Sequence, residues 1–257
     1  MLKKLLSRRS AGEAVVPRPR IPAGQRVYAI GDIHGRLDLL TDLLDRIFAD
    51  TAARLPAQTQ LIFLGDLIDR GPESAGVIAR LVGLASSEPH TRFLLGNHEE
   101  VFLSVLDGNY DALKFFTRIG GDATIASYGI DVGDHAAGTS RELLDRLRAA
   151  VPAEHRGFLQ AFEEQIVIGD YAFVHAGVRP GVALAAQTSE DLRWIRGDFL
   201  DAKSAFEKYI VHGHTVTDDV DERANRIGLD TGAYRSGRLT AMGFEEDRRW
   251  VLQTDSP

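Results

Sequence analysis

The chain has 257 residues, 44% hydrophobic and 26% charged, an ordinary balance for a soluble globular protein and enough for one α/β domain with a helical insertion. Its formal net charge of −7 argues against a nucleic-acid partner, because such domains carry a basic face. The absence of cysteine excludes disulfides, thiolate nucleophiles and thiolate metal sites.

The N-terminus concentrates Lys3, Lys4, Arg8, Arg9, Arg18 and Arg20 among the prolines Pro17, Pro19 and Pro22. Residues 1–25 read as a basic, disordered arm. A secretory signal needs an apolar centre of about 7–15 residues, and none is present. No apolar stretch reaches the roughly 18 residues that span a bilayer. The expectation is a cytoplasmic protein without stable membrane insertion; its oligomeric state is open.

Arg26 to Ile30 is the first strand-like run, and Gly31-Asp32-Ile33-His34-Gly35 follows at once. Leu39, Leu40, Leu43, Leu44 and Ile47 form one stripe at helical spacing. Leu61 to Leu64 predicts the second strand, which runs into Gly65-Asp66-Leu67-Ile68-Asp69-Arg70-Gly71. After Pro72, Val77, Ile78, Leu81 and Val82 predict another helix. Phe93 to Leu95 predicts the third strand, ending at Gly96-Asn97-His98-Glu99. Strand, helix, strand, helix, strand predicts parallel pairing with helices on the sheet faces.

Residues 100–164 read as mostly helical, a cap inserted within a domain spanning 26–257. Val101, Phe102, Val105 and Leu106 mark one helix; Leu143, Leu144, Leu147 and Val151 mark another, broken by Pro152. A Gly/Asp-rich loop, 129–138, lies between. Strands return over Gln165 to Ile168 and Tyr171 to Val174, the latter ending at His175-Ala176-Gly177. Tyr209 to Val211 ends at His212-Gly213-His214-Thr215. The tail runs 226–229, 238–244 and 249–253 read as antiparallel strands.

Five apolar runs thus end in small residues and metal-competent side chains: Asp32 and His34, Asp66, Asn97 and His98, His175, and His214. Sites in open α/β sheets form beyond the carboxyl ends of strands, so these ends can converge. The donor set is carboxylate, imidazole and amide oxygen without sulfur, which suits manganese, iron or zinc rather than a thiolate-bound structural ion. Surplus charge after a core strand needs partners, and metal ions and phosphate supply them.

The Gly31–Gly35, Gly65–Gly71 and Gly96–Glu99 blocks resemble the three signature blocks of the phosphoprotein phosphatase (PPP) family, within the calcineurin-like metallophosphoesterases. Val174 to Gly177, Leu192 to Arg196, His212 to Thr215 and Asp230 to Ala233 resemble its bacterial and phage branch. The resemblance runs from about Arg26 to Gln253. It implies a β-sandwich flanked by helices and two divalent metals, manganese first, with iron or zinc as substitutes. Asp32 and His34 would bind the first metal, Asp66 would bridge, and Asn97, His175 and His214 would complete the second. His98 would be the general acid with Asp69 on its other nitrogen, and Arg70 and Arg196 would bind phosphate oxygens. Two such metals lower the pKa of a bridging water and clamp a phosphoryl group for in-line attack, so no covalent nucleophile is needed.

The implied activity is hydrolysis of phosphate monoesters, with phosphoserine or phosphothreonine in proteins foremost. The alternative is a symmetrical diadenosine tetraphosphate hydrolase, or broad activity on small phosphomonoesters and phosphodiesters. Members with the dinucleotide activity often lack the second aspartate and carry aspartate after Asn-His; Asp69 and Glu99 follow the protein-phosphatase pattern instead. Every expected ligand is present, so an inactive binding module is not expected. Glu99 reads as a supporting residue and Arg193 as a surface charge. His90, His135 and His155 read as solvated, Trp194 as loop packing and Trp250 as core. His212, two residues before His214, reads as lying outside the site. The 100–164 insertion and the 179–190 loop are expected to set specificity.

Overall fold

The computed structural model describes residues 18–131 and 140–255. In chain order it contains β1 (Gln25–Ile30), α1 (Leu37–Ala53), β2 (Gln58–Phe63), α2 (Ser74–Ser87) and β3 (Thr91–Phe93). A helical stretch follows: α3 (Asn97–Leu106), α4 (Tyr110–Phe116), a kinked segment (Thr117–Gly121) broken at Gly120, α5 (Asp122–Ser127), α6 (Ser140–Ala150) and α7 (Ala153–Gln160). Then come β4 (Gln165–Ile168), β5 (Tyr171–Val174), α8 (Ser189–Trp194), α9 (Gly197–Leu200), β6 (Tyr209–His212), β7 (Asp221–Glu222) and β8 (Arg226–Gly228). The chain closes with α10 (Ala233–Ser236), β9 (Thr240–Glu245) and β10 (Arg248–Gln253).

The strands form two mixed sheets, ordered β10-β9-β1-β2-β3 and β4-β5-β6-β8-β7. β1, β2 and β3 are parallel, as the alternation with helices requires. Period-two alternation sorts their side chains. Val27, Ala29, Ile62 and Leu64 face the second sheet and pack with Ile166, Phe173, Val211 and Phe244. Tyr28, Ile30 and Phe63 face the other way, onto the apolar stripes of α1 and α2. Val174 and Ile210 meet Leu192 and Phe199 on the outer face of the second sheet. The result is an α/β fold of two mixed sheets with helices on both outer faces. Burying one such side chain contributes roughly 1.5–3 kcal/mol.

The helical insertion is not detached from this frame. Phe102, Val105, Phe116, Ile125, Leu147 and Leu159 share one core with α1 and α2. The Tyr128 hydroxyl lies 3.0 Å from His155 Nδ1, and His155 is buried rather than solvated, because α7 turns it toward α5. His90 is exposed; His135 lies outside the described residues.

Other expectations need correction. The tail run at 226–229 is not wholly antiparallel: β8 is parallel to β6 and antiparallel only to β7. The crossover through β7 allows the chain to enter β8 in the same direction as β6. Of the arm expected over residues 1–25, the described part packs onto the fold: the Ile21 amide donates to the Glu246 carbonyl at 2.9 Å, and its side chain joins the inter-sheet core. Lys3, Lys4, Arg8 and Arg9 lie outside the described residues. Trp250 is half-buried, with the Arg54 guanidinium 3.5 Å over its ring. Among the described residues no helix is long and apolar enough to cross a membrane.

Candidate active site

The expected site residues leave both sheets at the same end. Asp32 and His34 follow β1, Asp66 and Asp69 follow β2, and Asn97 and His98 open α3. His175 follows β5, and His214 lies two residues beyond β6. The loops lock one another through the backbone: His34 donates to the Asp66 carbonyl at 2.9 Å, and Gly213 donates to the His175 carbonyl at 2.8 Å. Gly96 and Gly213 are required for close approach, since a Cβ at either would collide with the Asp66 or the Asp32 carboxylate.

This convergence strains the backbone. Among the described residues six non-glycine positions have φ in the left-handed region, and five belong here: His34, Asp66, Asp69, Arg70 and His214. Such conformations cost on the order of 1–3 kcal/mol each and persist only where the surroundings over-determine them. Glu99 is one such determinant. Its buried carboxylate accepts from the amides of Gly96 (3.1 Å), Asp66 (2.8 Å), Leu67 (2.8 Å) and Ile68 (3.3 Å), which ties the Asp66 loop to α3. Burial and the neighbouring Asp66 nevertheless push its carboxyl up to about 7. Each orphaned buried donor costs about 1–3 kcal/mol, so Glu99→Ala is expected to destabilise the fold by at least about 3 kcal/mol. Urea unfolding measures this directly; an unchanged midpoint would mean that Glu99 does not hold the loop.

Two groups of ligand atoms lie within 4.8 Å of one another: His34, Asp66 and His98, and Asp66, His175 and His214. Asp66 is common to both. His34 Nδ1 donates to the Ile68 carbonyl and His175 Nδ1 to the Leu64 carbonyl, each at 2.7 Å, which leaves the Nε2 atoms to face the site. His175 Nε2 meets Asn97 Oδ1 at 2.9 Å and Asp66 Oδ1 at 3.3 Å, and His214 Nδ1 meets the same amide oxygen at 2.8 Å. An amide oxygen and a carboxylate only accept, so a positive charge belongs among these atoms. Burial disfavours an imidazolium at His175, but Asp66 outweighs it and raises the pKa. A proton meets that demand, and so does a divalent cation.

The remaining electrostatics agree. Burial and the repulsion of Asp230 and Asp66 lift the Asp32 carboxyl well above the usual range. Burial takes His34 down to about 3, and burial with the neighbouring His175 takes His214 down to about 2. Neutral imidazoles are the form that ligates metals. His214 Nε2 and Asp230 Oδ2 are buried without hydrogen-bond partners. The residues present therefore fit divalent cations. One placement differs from expectation. The Asp32 carboxylate accepts the His214 amide at 3.0 and 3.2 Å and falls outside both three-residue groups, whereas His98, expected only as an acid, falls inside one.

Beside this cluster, His98 Nδ1 donates to Asp69 Oδ2 at 2.6 Å. Asp69 is itself fixed: its amide donates to Ser74 Oγ and Thr124 Oγ1, and Thr124 returns a 2.6 Å bond to Asp69 Oδ1. Burial opposes charge on His98, but the Asp66 and Asp69 carboxylates prevail and raise its pKa. Two exposed arginines rim the buried floor. Arg70 donates to His34 Nε2 at 2.8 Å and His98 Nε2 at 3.0 Å, and Arg196 donates to the His214 carbonyl at 3.3 Å. Arg193 is not a surface charge: its side chain is 11% exposed and pairs with Glu100 and Glu164. Trp194 Nε1 donates to the same Glu100 at 2.7 Å, so α8 is anchored to α3 just ahead of Arg196. His212 is buried against Phe199, outside both groups.

Sequence reasoning missed Thr124, Ser74, Glu100 and Tyr234. Thr124 lies 55 residues from Asp69, and no local pattern marks such a contact. Tyr234 directly follows the Asp230–Ala233 block, which was the available signal.

The calcineurin-like phosphoesterase family model matches residues 25–236, and the protein belongs to that family. It is 28% identical over 226 residues to serine/threonine-protein phosphatase 2 of Escherichia coli, covering 84% of this chain and 91% of that one. It is 24% identical over 251 residues to the asymmetrical bis(5'-nucleosyl)-tetraphosphatase PrpE of Bacillus velezensis, covering 89% and 92% of the two chains. A crystal structure provisionally called a diadenosine tetraphosphatase superposes with a TM-score of 0.60 at 21% identity, over 91% of this chain and 96% of that one, a likeness of fold.

Proposed function

We propose that this metallophosphoesterase hydrolyses phosphate monoesters, with phosphoserine and phosphothreonine of proteins as its substrates. Asp32 and His34 would hold one divalent ion, Asn97, His175 and His214 a second, with Asp66 shared. Manganese, iron or zinc would suit these donors, and the family resemblance puts manganese first. Bound there, the ions supply Lewis acidity and an activated water nucleophile. Arg70 and Arg196 bind the non-bridging phosphate oxygens, where a planar guanidinium matches the dianion. His98 delivers a proton from Nε2 to the departing oxygen, while Asp69 holds Nδ1.

The observation that carries this reading is the Asp69–His98 pair, itself fixed by Thr124 and Ser74. The alkoxide of serine or threonine is a strongly basic leaving group and needs that proton. A nucleotide leaves as a weakly basic phosphate and needs it less. A second reading, dinucleoside tetraphosphate hydrolysis, draws on the full-length similarity to the PrpE protein. The test loads metal-stripped protein with manganese and compares p-nitrophenyl phosphate, a phosphothreonine peptide and diadenosine tetraphosphate. The expected result is the highest kcat/KM on the peptide. A far higher value on the dinucleotide overturns the first reading, and the products then separate symmetrical cleavage (two ADP) from asymmetrical cleavage (ATP and AMP).

A further inference from the structure

We infer that Tyr234 is the positioning residue of the phosphate-binding arginine Arg70, an inference that rests on the reading of Arg70 given above. The Arg70 guanidinium carbon lies 4.9 Å over the Tyr234 ring, and that ring meets His34 edge-on, with centroids 5.4 Å apart at 85°. Tyr234 thus touches both a candidate metal ligand and a candidate phosphate ligand.

Arg70 needs such a support. It is exposed, its own backbone is left-handed at φ 68°, and it has no ion pair among the described residues. Its side-chain hydrogen bonds go to His34 Nε2 and His98 Nε2, the two ring atoms required for a metal ion and a departing oxygen. In the working enzyme those contacts are given up. A carboxylate partner would then hold the guanidinium but compete with phosphate for its charge. An aromatic face attracts a cation through its quadrupole and takes up none of the N–H donors in the guanidinium plane. Nearby Arg36 shows the other arrangement: Asp38 neutralises it, and its Nη1 donates to the Ala233 carbonyl at 3.0 Å. That bond pins the start of α10, while Gly232 and Gly237, both left-handed, bracket the helix. Tyr234 therefore projects from a fixed platform, and α10 serves to present it.

The test uses Tyr234→Phe, Tyr234→Leu, Arg70→Ala and the Tyr234→Leu/Arg70→Ala double variant, all loaded with manganese. Inorganic phosphate is titrated calorimetrically, p-nitrophenyl phosphate turnover gives KM and kcat, and bound manganese is counted. The calorimetry keeps a wrong substrate class from being mistaken for a wrong role of Tyr234. The leucine variant is expected to weaken phosphate binding and raise KM by about 3- to 30-fold, with kcat changed less and metal content retained. Phenylalanine should restore binding to within about twofold of wild type, because the ring acts and the hydroxyl does not. In the Arg70→Ala background the leucine substitution should add nothing, since a pair that works as a unit is not additive. An equal loss with and without Arg70, failure of phenylalanine to rescue, or loss of manganese in the leucine variant would each overturn the assignment.

Discussion

Replacing His98 by Asn is expected to lower kcat on a phosphothreonine peptide by about 10²–10⁴-fold, the usual contribution of a positioned general acid. The amide preserves much of the shape but carries no titratable proton. The loss should be smaller on p-nitrophenyl phosphate, whose leaving group departs without help. The pH profile adds a second check. Asp66 and Asp69 raise the His98 pKa against the effect of burial, so the acid form persists to higher pH than in an ordinary histidine. The rate should fall as pH rises through that pKa. Asp69→Asn removes one raising carboxylate, so the same alkaline limb should move to lower pH. His98 also lies within the His34–Asp66 group, which makes bound metal the decisive control. Unchanged metal content with a large loss of kcat supports the acid role; loss of metal would reassign His98 as a ligand.

Asp66→Asn should be more damaging still. Asp66 is the residue common to both groups, and its carboxylate lies 3.3 Å from His175 Nε2 and 3.7 Å from His34 Nε2. Burial would raise its pKa, yet His175 and His98 hold it well below the usual carboxylate range, so the charged form is the native one. Removing that charge deprives two clusters at once. Loss of a mere hydrogen-bond partner of a metal ligand costs about 10–100-fold in metal affinity, and loss of a shared ligand should exceed this at both positions. Metal analysis of the variant should find fewer than one ion per chain, with activity at background. Two tightly held ions in Asp66→Asn would show that the carboxylate does not bridge.

The three strand-end blocks were legible because their signal is local: an apolar run, a small residue, then a polar side chain that a core strand would not otherwise carry. Once β1, β2 and β3 pair in parallel, their ends must lie together. The β5 and β6 ends were legible for the same reason, although nothing local says that a second sheet stacks against the first. Direction of pairing was harder. Arg226-Ile-Gly is apolar enough for a strand but does not encode whether β6 runs with it or against it. The sequence groups Ile21 with the basic arm because its neighbours are charged and proline-rich, yet its side chain joins the inter-sheet core. Arg193 looked like a surface charge because its partners Glu100 and Glu164 come from distant segments. The supports of the candidate site, Thr124 for Asp69 and Tyr234 for Arg70, are likewise long-range contacts without a motif of their own.

On the proposed reading, two convergent, acceptor-rich clusters sharing Asp66 hold two divalent ions. Anomalous diffraction from crystals of the manganese-loaded protein would locate such ions. Two peaks are expected to flank Asp66, one beside His34 and one among Asn97, His175 and His214. A single peak, or full phosphatase activity in protein with no ion at either position, would contradict it.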